Sequence, residues 1–464
     1  MVRAATGLIG MAMVVACSNA DAFVCIADGQ CGVDGACEAS GYCSFPDPDC
    51  TSGRRYGALA GSLSGACVDP GAETEQVTTT TTGGRGSTGT GPPPDPDGGS
   101  SAPTTTTNTT DGTTTEVGGC PPSTEWWDCD WSGRIALEVA PTTSPRPLLQ
   151  VPIALFLDAS RIDYGLTGPD GQDLRVIASD GLTELPIEIE RWDEDGSSVV
   201  WFAMESVEPV DPMTVWLYFG SPGARSAGTS AQVWDDNYRA VWHLHQSGFP
   251  ESTGNASSCS PAGKGINAGP GVFGVGLMPS FGGWATCDPM GLEALFFQSG
   301  TVTVWINPTD EGGNSAGRII DKSTSTSPEG YNIAVNENER IHFARGHEMA
   351  LGRWRTPNGS VPYGQWSHLA VRFTEGNAVV EPDIFVNGAS QTLVVASAPL
   401  GAAINEDGLP LAIGNFAPDG TRTFNGVIDE LRLSNGFRST SWIQYQDAVG
   451  RDAVISYGEI EYLR

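Results

Sequence analysis

The chain has 464 residues and a formal net charge of −31, from 24 basic and 55 acidic side chains. That surplus of carboxylates excludes nucleic acid as a partner and electrostatic adhesion to anionic lipid, since both need clustered Lys and Arg. Charged residues are only 17% of the sequence, while Gly (60) and Pro (32) are abundant, a mixture that favours strands, turns and linkers over helices.

The first elements concern export. Met1-Val2-Arg3 supplies a short positive region, and residues 4–16 are apolar and uncharged. This stretch is shorter than the ~20 residues a spanning helix needs, so residues 1–16 read as a signal peptide. It ends in Val14-Val15-Ala16-Cys17, which resembles the lipobox of bacterial prolipoproteins. The resemblance implies that the Cys17 thiol takes a diacylglycerol and that its amine is acylated after cleavage. Acyl chains worth ~0.8 kcal/mol per buried methylene hold a protein durably on a membrane. The expected location is the cell envelope, lipid-anchored at the outer membrane or cell surface.

Setting Cys17 aside leaves ten of the eleven cysteines, an even number, as a disulfide framework requires. Six of them, Cys25, Cys31, Cys37, Cys43, Cys50 and Cys67, mark a small module over 17–70. Few apolar residues accompany them, so disulfides must hold this unit, and their pairing is not readable from sequence. Zinc is disfavoured there by the lack of a C-x2-C pair and of histidine. With Ser52-Gly-Arg-Arg-Tyr-Gly57, the cysteine pattern resembles a short module near the N-termini of myxobacterial surface lipoproteins, which implies no activity. Residues 71–118 are rich in Thr, Pro and Gly and almost free of apolar side chains. They read as a disordered tether, or an O-glycosylated stalk, spanning ~40 Å as a coil. The other cysteines group as Cys120 with Cys129 and Cys259 with Cys287.

After Cys120, strand patterns separated by turns replace the linker, at 152–157, 174–177, 185–190, 198–203 and 213–219. They predict a β-sandwich over 119–225. Asp170–Val176, Leu185–Trp192, Ser198–Trp201 and Val215–Pro222 resemble a domain of unknown function, number 2341, found in bacterial and archaeal surface proteins. The rest, 226–464, resembles the laminin-G/concanavalin A-like superfamily. The motifs are Ala240–His245, Gly300–Pro308, Arg318–Lys322, Gly364–Val371, Ile384–Gly388, Leu411–Gly414 and Phe424–Leu433. This implies a jelly roll of two antiparallel sheets. The fold expected is therefore all-β, two consecutive sandwiches after a disulfide-rich module and a linker.

Concanavalin A-like folds include glycoside hydrolases with carboxylates on alternate strand positions. Glu188 and Glu190 have that alternation, ~7 Å apart on one strand face. They lie outside the jelly-roll segment, however. Ile187 and Ile189 between them give a simpler reading, a buried Ile face and a solvated Glu face. No catalytic residue is expected. His243 and His245 alternate and suit a shared metal, but no third ligand is evident. The laminin-G resemblance implies calcium at one rim, with Asp429 at the family position and Glu251 where relatives carry Asp. Trp284, Trp305, Trp354 and Tyr363 are the aromatic candidates for a glycan. Trp354, flanked by Arg353 and Arg355, is the strongest. The expected function is surface binding or adhesion to a glycan or protein ligand, with a polysaccharide-active glycoside hydrolase and a structural envelope protein as alternatives.

Overall fold

The computed structural model describes residues 35–38, 42–46, 50, 52–56, 67–68 and 126–463, apart from 246–247, 256–257, 288–298, 325–329, 375–380 and 405–407. The chain divides into two units, 1–109 and 110–464. Cys17, Cys25, Cys31 and Cys120 lie outside the described residues, as do the signal peptide and the linker.

In the first unit, β1 (Ala36–Cys37), β2 (Cys43–Pro46) and β3 (Arg54–Tyr56) form a small antiparallel sheet. A disulfide joins Cys50 to Cys67, and Cys37 and Cys43 are also disulfide-bonded. Among the described residues of this unit, the apolar cluster is Cys43 with Cys37 packed against it, and disulfides are the expected support of so small a unit.

In the second unit, seven strands come first. They are β4 (Gly133–Val139), β5 (Leu148–Leu157), β6 (Arg175–Ile177), β7 (Glu184–Leu185), β8 (Ile187–Arg191), β9 (Ser198–Val207) and β10 (Met213–Phe219). The jelly roll begins with β11 (Tyr238–Trp242), β12 (Cys259–Gly263), β13 (Ile266–Gly271), β14 (Gly274–Pro279), β15 (Gly283–Cys287), β16 (Ser299–Pro308) and β17 (Ala316–Ser323). It continues through β18 (Gly330–Asn336), β19 (Arg340–Arg345), β20 (Gly352–Arg355), β21 (Ser367–Thr374), β22 (Asp383–Val386), β23 (Ala389–Ser390), β24 (Val394–Ser397), β25 (Leu411–Ile413) and β26 (Gly426–Asn435). Helix α1 (Thr440–Gly450), capped by the Ser439 side chain on the Trp442 N–H, leads into β27 (Ile455–Tyr462).

The first sandwich sets a five-stranded sheet, β27-β4-β10-β6-β7, against the three-stranded sheet β5-β9-β8. The jelly roll pairs the sheet β13-β14-β26-β16-β21-β22-β23, with β11 also on β26, against β12-β15-β25-β17-β18-β19-β20-β24. Cys259 and Cys287 face each other across β12 and β15 and are disulfide-bonded. Cys129 is disulfide-bonded as well, and its expected partner Cys120 is outside the described residues.

Two findings sharpen the domain plan. First, β27 pairs along β4, from Ile455 on Val139 to Tyr462 on Gly133. The expected jelly-roll segment 226–464 therefore ends by completing the other sandwich. Second, one hydrophobic core contains Ile153, Val200 and Trp201 together with Phe273, Trp305, Phe385 and Trp442. The β5-β9-β8 sheet is thus covered on both faces, which explains why β9 reads as the unbroken apolar run Val199–Phe202 instead of alternating.

A chain ending at Arg451 loses the strand that covers the β4 edge and the buried Val454 and Ile455. Its urea midpoint should fall by an amount equivalent to ~2–5 kcal/mol, and protease should cut first within 126–225. An unchanged midpoint would contradict the pairing.

Candidate functional site

A charged layer lies between the first sandwich and the jelly roll. β8 contributes Glu188 and Glu190. The Glu190 side chain is 0% exposed and that of Glu188 11% exposed. The expectation of a solvated Glu face is corrected here: the jelly roll covers it. Trp201 Nε1 donates to Glu190 Oε2 at 2.7 Å, and Trp234 Nε1 donates to Glu188 Oε2 at 2.6 Å. These indoles fix both carboxylates.

Strand β11 runs into the cluster. Ala240, Trp242 and Leu244 belong to the jelly-roll core, so His243 and His245 face away from it. Leu244 has φ +63°, a conformation branched side chains rarely adopt, and it turns the chain at this point. On β26 a bulge places two residues, Glu430 and Leu431, opposite Val304 of β16. Glu430 takes φ +54° there. The extra residue lets Asp429, Glu430 and Arg432 share the outer face while Ile428, Leu431 and Leu433 stay in the core.

His243 is the hub. Its Nδ1 meets both oxygens of Glu430, at 2.9 Å to Oε2, and lies 3.3 Å from Glu190 Oε2. Its Nε2 is 3.5 Å from Glu188 Oε1. His245 Nδ1 is 3.9 Å from Glu190 Oε1. Arg432 lies over Trp201 and Trp234, its carbon 4.5 and 4.9 Å from the ring centres, with Nη2 3.6 Å from Glu430. Asp429 Oδ2 accepts the Phe273 N–H at 3.0 Å.

Burial alone would lower the His243 pKa, but Glu430, Glu190 and Glu188 raise it well above 6.5. Burial likewise works to raise Glu430, and His243 and Arg432 outweigh it and hold the carboxyl below its usual range. For Glu190 burial wins over His243 and the pKa rises well above 4.5. Burial, with Glu430, pushes Asp429 up to about 7. Burial, with His243, brings His245 down to about 4. These carboxylates are closed off from a sugar ring, which is not the arrangement a glycosidase needs.

Of the expected calcium residues, Asp429 stands in this layer, and Glu251 ties its loop to β11: Oε1 accepts from the Val241 and Thr253 N–H groups and the Thr253 hydroxyl, and Oε2 accepts the Gly254 N–H. Among the described residues, the group whose donor atoms all lie within 4.8 Å of one another is Glu190, His243 and Glu430.

The expected ligand residues divide between two faces. Trp354 is only 2% exposed and packs on Phe343, 5.9 Å between ring centres, so it is corrected from a ligand-facing aromatic to a core residue. Trp305 is also buried. Strand alternation sends Gly352 and Trp354 inward and Arg353 and Arg355 outward. The two arginines line a cleft of about 370 Å³ on the outer face of β17 to β20, together with Arg318, Arg422, His342 and Asn332. Arg318 pairs with Asp321 at 2.8 Å. Among the described residues, no carboxylate forms an ion pair with Arg353, Arg355 or Arg422. Burial, then Arg318, Arg355 and Arg353, lowers His342 to about 3, so its ring is neutral at ordinary pH.

The unfolded chain binds a proton at His342 below about 6.5, and the folded chain refuses it down to about 3. This contribution to stability is therefore intact above pH 6.5 and lost as pH falls through that window. His342→Gln should flatten the dependence of the urea midpoint on pH there. An unchanged slope would contradict a neutral His342.

Residues 170–244 match the family described as Domain of unknown function (DUF2341), and residues 289–444 match the Concanavalin A-like lectin/glucanases superfamily. No curated protein matches the chain. Among solved structures, domain 4 of AbnA, a GH43 extracellular arabinanase from Geobacillus stearothermophilus solved with arabinotriose, is 18% identical. That similarity covers 45% of this chain and 97% of the other, with a TM-score of 0.34. The receptor binding domain of botulinum neurotoxin mosaic serotype C/D is 11% identical over 46% of this chain and 50% of its own, TM-score 0.37. The binding domain of Paraclostridial Mosquitocidal Protein 1 is 14% identical over 46% and 52%, TM-score 0.35. The chain spans about half the length of these last two. The chain carries a DUF2341 domain followed by a concanavalin A-like domain, and the buried His243 cluster draws its side chains from both.

Proposed function

We propose that the chain is an exported surface protein, tethered through Cys17 and the Thr-rich segment 71–118, whose jelly roll binds an acidic glycan in the arginine cleft. The observation that carries this reading is the meeting of Arg318, Arg353, Arg355 and Arg422 in one cleft of a protein with net charge −31. The guanidinium groups of Arg353, Arg355 and Arg422, without an ion pair among the described residues, match two oxygens of a uronate or sulfate group bidentately. The Nδ1 of neutral His342 and the Oδ1 of Asn332, buried without a hydrogen-bond partner among the described residues, offer sites for sugar hydroxyls. The aromatic side chain nearest in sequence, Trp354, is in the core, so charge and hydrogen bonds would do the selecting, not ring stacking. A tether of this kind holds an adhesive domain away from the lipid surface and lets it reach a partner outside the cell.

Calorimetric titration of the full chain with uronate-containing or sulfated oligosaccharides, beside neutral ones of equal length, tests this. Binding to the acidic sugars is expected, weakened at least tenfold by Arg353→Ala with Arg355→Ala and weakened by salt. It should stay flat between pH 5 and 8, because His342 does not titrate there. Equal binding of neutral sugars, or indifference to the double substitution, would overturn the reading. Release of new reducing ends from the ligand would favour the hydrolase alternative instead.

A further inference from the structure

Glu188, Glu190, Asp429 and Glu430 converge, and among the described residues the cations against them are the His243 ring and the Arg432 guanidinium. Buried carboxylates of this number stay ionised only when cations or hydrogen bonds meet them. Among the described residues, Glu190 Oε1 and Asp429 Oδ1 are buried and have no hydrogen-bond partner. The polar atoms that do have partners are oriented with care: Trp201 holds Glu190 by Oε2, leaving Oε1 open, and Trp234 holds Glu188.

We propose that Glu190, His243 and Glu430 bind a divalent transition-metal ion of the zinc type, which ties the first sandwich to the jelly roll. Their donor atoms already lie within 4.8 Å of one another, close enough for one ion to reach all three. His243 has the two-sided arrangement of a metal-ligating imidazole. Nδ1 faces Glu430 and Glu190, while Nε2 is buried 3.5 Å from Glu188 Oε1 with no hydrogen bond among the described residues, so Glu188 stands where the second partner of a ligating imidazole belongs. One imidazole and two carboxylates suit zinc. Calcium asks for six or more oxygens and no nitrogen. His245, with Nδ1 3.9 Å from Glu190 Oε1, stands beside the group and is placed to complete it. Glu188 and His245 keep side-chain exposures of 11% each, so the cluster has an edge toward solvent by which an ion can enter. The ligands come from β8, from the residue after β11 and from the β26 bulge. The ion would therefore cross-link three strands that the chain brings together only on folding, and its binding energy would add to the stability of the folded state.

The test is made on the full chain without a polyhistidine tag, equilibrated with zinc chloride, desalted and measured by elemental analysis, with calcium chloride in a parallel sample. One equivalent of zinc per chain is expected, and zinc should raise the melting temperature of the wild type. His243→Ala and the milder Glu190→Gln should each lose the bound zinc and the zinc-dependent rise in melting temperature. Glu251→Gln, whose carboxylate is not among the three proposed ligands, should keep both. Cobalt substituted for zinc provides a second readout, with visible absorption bands of a low-coordinate ion that vanish in Glu190→Gln. Less than a tenth of an equivalent of zinc in the wild type would overturn the proposal. So would full retention in Glu190→Gln folded to the wild-type circular dichroism spectrum, or calcium bound in place of zinc.

Discussion

The sheet β5-β9-β8 is buried on both faces, and the second unit depends on that double burial. One face packs on the five-stranded sheet that β27 completes. The other meets the jelly roll through Trp201, Phe156 and Phe273, with Phe156 and Phe273 stacked 5.4 Å apart. Such a middle layer has little solvent to hydrate its charges. Glu188 and Glu190 project into it, so His243, Arg432 and the indoles of Trp201 and Trp234 must answer them. The apolar contacts drive the closure. The charged groups fix which strand meets which, because a one-residue slip would strand a buried carboxylate against an apolar partner.

Much of this was legible from sequence. The alternating strands, the turn residues and the ordered family motifs gave two all-β domains and the placing of Cys259 beside Cys287. The Thr-rich tract and Cys17, on which the expectation of export rests, lie outside the residues the structure describes. What sequence reasoning missed followed from contacts between segments far apart in the chain. Glu188 and Glu190 show the period of a half-exposed strand, and nothing local says that a second domain covers them. His243 and His245 lacked a third ligand because Glu430 is 187 residues away. The bulge that turns Glu430 toward His243 leaves no mark on a period-two reading of β26. A sharper reading was available from β9: the run Val199–Phe202, with no polar alternation, signals a strand covered on both sides.

The aromatic candidates show the opposite limit. Trp354 sits between two arginines, and a sequence window treats the three as one patch. Strand pleating separates them, sending the indole into the core and the guanidinium groups into the cleft. The molecule thus has two charged centres. The acidic one is internal, between the two sandwiches. The basic one is on the outer jelly-roll sheet and faces solvent, where a ligand can reach it.

The central claim is that the first sandwich and the jelly roll form one cooperative body joined by the charged layer. Pulse-labelling hydrogen exchange through a urea titration reads it directly, because peptides from 133–219 and from 316–374 report on the two sandwiches separately. The account predicts coincident midpoints for both sets of amides. A jelly roll that keeps its protection after β4, β9 and β10 have lost theirs, or the reverse, would contradict it.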